Sequence, residues 1–117
     1  MLAVTIIVVS ITVVMNVVIL VGDIIRAKPV VANSREVGVA DQWLPTLAIL
    51  KGAGAAGLIV GLVGLPLIGA LAAFGLSLFY LGALIAHLRA RVFHVIAFPA
   101  LFFVFALTSL ALFVGAT

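Results

Sequence analysis

The run MLAVTIIVVSITVVMNVVILVG, residues 1–22, carries no charged side chain and is dominated by Val, Ile and Thr. In water that composition favours a strand, because β-branched side chains are stiff at χ1 and pack well on a pleated surface. In hydrocarbon the balance reverses. Every backbone N–H and C=O must then be satisfied within the segment, which a lone strand cannot do and a helix does. The choice between the two therefore rests on the solvent.

Composition identifies that solvent as lipid. Some 68% of the residues are apolar and 8% charged, whereas about 25% of the residues in soluble domains are charged. A soluble domain of this length leaves roughly a third of its extended surface in water, and this chain lacks the polar residues to cover it. A cleaved signal peptide is a poor fit to the first run. No Lys or Arg precedes it, it exceeds the usual 7–15-residue apolar region by several residues, and no small-x-small cleavage site follows.

A hydrocarbon core about 30 Å thick needs about 20 helical residues. Four apolar runs of that length are present, at about residues 2–22, 45–64, 67–86 and 92–114. The expected fold is all-α: an integral membrane four-helix transmembrane bundle, with residues 1–117 forming a single transmembrane domain. The long connection 23–44 holds Asp23, Arg26, Lys28, Arg35, Glu36 and Asp41, with Trp43 near its end at a headgroup boundary. The second connection is the uncharged turn Gly64, Leu65 and Pro66, and the third is HLRAR, residues 87–91. Five of the six Lys and Arg fall in the first and third connections. By the positive-inside rule the 23–44 loop is cytoplasmic, and both termini lie on the outer side of a plasma or inner membrane.

Other classes are excluded or disfavoured by what is missing. Without cysteine there are no disulfides, thiolate metal sites or Cys nucleophiles. The basic residues are not interleaved with aromatics as in nucleic-acid binders, and no nucleic-acid partner is expected. Two His and Asp23 are too few for a metal site. His87 and His94 flank one hairpin rather than facing each other, so no haem or other cofactor is expected.

Ionisable residues in a membrane span are costly enough to be functional candidates. Asn16 and Asp23 are seven apart and share a helical face, as do Ser77, Tyr80 and His87. On the fourth run His94, Phe98, Leu101, Phe105 and Thr108 form a stripe. With these faces inward, Asp23, Lys51, His87, Arg89 and His94 form a polar cluster near the charged mouth, with Asn16 and Tyr80 deeper and aromatics behind. Pro99 frees the carbonyl of Val95 and is expected to kink the fourth helix there.

Each residue also has a plain structural explanation. Lys51 is within snorkelling reach of the interface. His87 and Arg89 suit the C-terminal end of a helix. Arg91 and His94 suit interfacial anchoring, Tyr80 local packing, and Asp23 pairing with Arg26 or Lys51. The small residues Ala53, Gly57 and Gly61, and likewise Gly75 and Gly82, serve either internal packing or a homodimer.

The segment LAILKGAGAAGLIVGLVGLPLIGALAAFGLSLFYLGALIAHLRAR, residues 47–91, resembles the core of the DoxX-like membrane proteins. In these a Gly- and Ala-rich second span is followed by a third that ends in small-residue-His-x-Arg. Residues 26–28, RAK, fit the same plan. The resemblance implies a compact four-helix bundle and an association with quinone-linked sulfur oxidation, oxidative-stress defence or detoxification. His87 and Arg89 match the pattern. A glutamate is expected where this chain has Lys51, so a role built on that carboxylate does not transfer.

The leading expectation is a non-catalytic accessory protein or subunit that binds a quinone-like or lipid amphiphile and associates with a membrane redox complex. Its ligand-binding residues would be Asn16, Lys51, Tyr80, His87, Arg89, His94 and Phe98. The rival is a small membrane enzyme, an isomerase or epoxide-opening hydrolase, with His87, Tyr80 and Asp23 as its catalytic candidates. A transporter is disfavoured by the lack of an internal repeat. A purely structural subunit would need the polar residues only as caps.

Overall fold

A computed structural model describes residues 2–116, excluding the side chains of Val30, Asn33 and Asp41. In chain order the elements are α1 (Leu2–Ile24), α2 (Lys28–Glu36), a 3-10 turn (Asp41–Trp43), α3 (Leu44–Leu62), α4 (Pro66–Arg89) and α5 (Ala97–Ala116). Among the described residues there is no strand. The helices α1, α3, α4 and α5 contain 23, 19, 24 and 20 residues and are long and apolar enough to cross a membrane. The longest dimension of the molecule is 39 Å, close to the roughly 40–45 Å of a bilayer with its headgroups.

Around the bundle the order is α1, α3, α4, α5, so each long helix packs on two antiparallel neighbours. The exterior reverses that of a soluble bundle, and the largely apolar interior also takes in polar side chains. Ile7, Val14, Val18, Leu71 and Val104 face outward, while Thr12, Asn16, Asp23, Lys51, Ser77, His87 and Ser109 are buried. Lipid wets the apolar exterior without cost, and the polar side chains find their partners inside.

The α3–α4 hairpin shows how small residues set this geometry. Gly64 has φ +124°, a conformation that L side chains rarely adopt. The amide of Leu65 then returns to the carbonyl of Val60 at 3.3 Å, and Pro66 opens α4 where a missing N–H is harmless. Below the turn the helices nearly touch. A Cβ on Gly57 would lie 2.5 Å from that of Ala72, and one on Gly61 would lie 2.6 Å from Cα of Gly69. The packing stripe is thus Gly54, Gly57 and Gly61, not one that includes Ala53, which is exposed. A Cβ added at Gly75 or Gly82 would meet nothing within 4 Å, and Gly82 borders the cavity described below.

Three features depart from the sequence reading. The 23–44 connection contains a helix, α2, with Pro29 in its first turn and Gly38 just past its end at φ +85°. The fourth long helix begins at Ala97 rather than at 92, and Pro99 therefore sits in its first turn. It causes no mid-helix kink, because first-turn amides have no intrahelical partner to lose. Finally, α1 and α4 both end with an arginine in the left-handed conformation, Arg26 at φ 52° and Arg91 at φ 57°. In each case the next amide closes the helix end, Ala27 onto Gly22 and Val92 onto His87, both at 2.9 Å.

Candidate functional site: a polar cluster and its cavity

Asp23 lies in the last turn of α1, where the helix dipole disfavours a carboxylate. Its partner comes from the next helix. Lys51 Nζ on α3 donates to Asp23 Oδ2 at 2.6 Å, and the two residues are 6% and 2% exposed. Lys51 therefore does not snorkel to the interface. Its ammonium also lies 5.4 Å from the centre of the Phe79 ring, within reach of a cation–π interaction.

Deeper in the bundle, Tyr80 Oη on α4 donates to Asn16 Oδ1 on α1. This bond crosses the bundle diagonally, joining two helices that are not neighbours in the ring. Asn16 Nδ2 in turn donates to the carbonyl of Thr12 at 2.8 Å. Thr12 Oγ1 gives its single proton to the carbonyl of Val8 at 2.8 Å, so in its 3.1 Å contact with Ser109 the serine must be the donor. Among the described residues no buried side-chain N or O lacks a partner. Tyr80→Phe is expected to cost about 1–3 kcal/mol, because it leaves Asn16 Oδ1 without its donor. Asn16→Leu added to it should recover part of the loss in a denaturation series, as expected if both polar groups go together.

In the last turn of α4, the His87 ring contacts the carbonyl of Ala83 through Nδ1 at 2.7 Å. A carbonyl only accepts, so Nδ1 carries the proton. His87 lines a cavity of about 630 Å³ that Asp23, Lys51 and Tyr80 also border. Its remaining wall is largely apolar, including Leu47, Phe79, Phe98 and Phe102, and Pro29 and Ser34 of α2 and the following Val37 and Val39 also border it. The volume falls in the range of about 300–1,000 Å³ typical of small-molecule sites.

The structure thus brings together Asp23, Lys51, Tyr80, His87 and Phe98 around one cavity and places Asn16 just beyond it, bonded to Tyr80. Two expected members lie elsewhere. Arg89 is exposed at the end of α4. His94 is 65% exposed in the turn between α4 and α5, where Nε2 lies 3.2 Å from Glu36 Oε2 of α2. Both follow from where the helices end. A stripe counted through His94 presumes a helix that has not yet begun at residue 94. On the real α5 the inward line is Pro99, Phe102, Ala106, Ser109 and Phe113, and Leu101 and Thr108 face outward.

The contribution of α2 to the wall was missed, although Pro29 and Gly38 bracket it with ordinary start and stop signals. Phe102 was hidden by the same register error that misplaced His94, and its ring lies 5.1 Å from that of Tyr80. Among the described residues no three His, Cys, Asp or Glu are grouped to hold a metal ion.

Comparison with known proteins matches residues 7–109 to the profile of the DoxX-like family. No curated protein and no solved structure matches the chain. The matched region reaches from α1 into α5 and contains every side chain of the polar cluster, so fold, interior and family agree: this chain is a multi-pass membrane protein that belongs to the DoxX-like family.

Proposed function

We propose that the protein is a small accessory subunit that holds a quinone-like or lipid amphiphile in the cavity and associates with a redox partner within the membrane. The observation that carries this reading is the cavity itself, an apolar chamber with Asp23, Lys51, Tyr80 and His87 on its wall. Such a chamber suits a greasy body with a polar head, since orientation needs only a few placed hydrogen-bonding groups. Lys51 and His87 meet the head, Asn16 acts through Tyr80, and Phe98 borders the body. Arg89 and His94 sit where they would meet headgroup phosphates rather than the cavity. The charged end faces the cytoplasm of a plasma or inner membrane, with both termini outside, and a homodimer is compatible with the exposed faces of the bundle.

Removing Lys51 would strand the Asp23 carboxylate, so the cleaner test fills the chamber instead. Ala86→Phe places a large side chain in the cavity wall and leaves every charged group in place. Native mass spectrometry of the purified protein should show bound quinone or lipid falling at least about tenfold, the loss of a well-buried contact surface. Unchanged ligand content with an intact fold would refute the site.

The catalytic alternative draws on the presence of His87, Tyr80 and Asp23 around the same cavity. It requires turnover of an apolar epoxide or isomerisable substrate that His87→Gln abolishes.

A further inference from the structure

We propose that the cavity selects amphiphiles with an uncharged, hydrogen-bond-accepting head and rejects permanently anionic ones, and that the Asp23–Lys51 pair sets this selectivity. The inference rests on the cavity's being an amphiphile site.

The two formal charges on the cavity wall from Asp23 and Lys51 cancel each other at 2.6 Å. An anionic head attracted to Lys51 would approach Asp23 equally closely, so repulsion offsets attraction. The head would still lose its hydration in an apolar chamber with no unmatched countercharge to replace it. A cationic head meets the same obstacle with the signs exchanged. An uncharged carbonyl, hydroxyl or ester oxygen avoids this penalty. An ammonium has three donors, of which Asp23 takes one, so Lys51 can donate to such an oxygen without separating from its carboxylate. The Phe79 ring over the ammonium adds a further apolar surface at the head position. A neutral head is therefore recognised by hydrogen bonds, and a charged head by nothing the pair has not already matched.

The test uses the full-length protein in detergent and three probes of equal chain length: hexadecanol, methyl hexadecanoate and hexadecanesulfonate. The sulfonate remains ionised and cannot enter by taking up a proton. Native mass spectrometry should show the alcohol and ester bound at least about tenfold more tightly than the sulfonate, as expected when an ion is desolvated without a free countercharge. In Asp23→Asn the order should reverse, because Lys51 then faces the cavity as an unmatched cation. Should that variant fail to fold, Asp23→Leu with Lys51→Met removes both charges together and should weaken binding of the alcohol and the ester without improving that of the sulfonate. Equal binding of sulfonate and alcohol by the unaltered protein would overturn the charge selection while leaving the amphiphile cavity standing. Binding of none of the three would overturn both.

Discussion

Asp23→Asn or Lys51→Met alone should lower stability by about 3–5 kcal/mol, whereas Asp23→Leu combined with Lys51→Met should recover most of that loss. The asymmetry comes from burial. With the pair intact, each charge has given up its hydration and is compensated by the other at 2.6 Å. When one is removed, the survivor remains buried with no equivalent partner. With both removed, apolar side chains of similar size fill the space and no ion need be desolvated. A detergent-unfolding series followed by circular dichroism would measure all three variants. Equal destabilisation by the single and double substitutions would mean that the intact pair stabilises the bundle by several kcal/mol more than apolar packing does, and would overturn the expected recovery.

The second large effect lies at the opposite end of the bundle. The Phe113 ring of α5 sits over the α3–α4 crossing, and a Cβ on Gly69 would meet three of its atoms at 2.7 to 2.8 Å. Gly61 has no more room, because its Cβ would fall 2.6 Å from the Gly69 backbone. Gly69→Ala is therefore expected to cost about 1–3 kcal/mol through overpacking, and Gly61→Leu more than that. Gly75→Ala is the control. Nothing lies within 4 Å of its added carbon, so the greater helix propensity of alanine should leave stability unchanged or raised by up to about 1 kcal/mol. Combining Gly69→Ala with Phe113→Leu should show a coupling of about 0.5–3 kcal/mol, as expected for groups in direct contact. An additive result would place the strain elsewhere.

The sequence revealed the fold more fully than the site because the two depend on different information. Runs of apolar residues about as long as a bilayer is thick determine four spanning helices almost regardless of detail, and the described residues contain four helices long and apolar enough to cross a membrane. The seven-residue spacings also worked within a single continuous helix. Asn16 and Asp23 share the inner face of α1, and Ser77, Tyr80 and His87 that of α4. They failed where a helix boundary was misplaced. Counting inward positions from His94 rotated the whole fourth face, putting Leu101 and Thr108 inside and Phe102 and Ser109 out. Pairing across helices was legible only in part. Asp23 had Arg26 and Lys51 as rival partners, and only the packing of α1 on α3 selects Lys51.

The diagonal bond from Tyr80 to Asn16 has a geometric consequence for anything that enters the cavity. On its far side, Val9, Ala73, Ala106 and Phe113 fill the bundle with packed side chains, so the axis is blocked below the phenol. A molecule whose head reaches Lys51 cannot extend its tail straight down between the helices. A tail longer than the cavity would have to turn sideways, through the bundle wall, to reach the surrounding acyl chains. Chain length should then matter little beyond what the cavity holds, since the lipid bilayer accommodates whatever the protein does not.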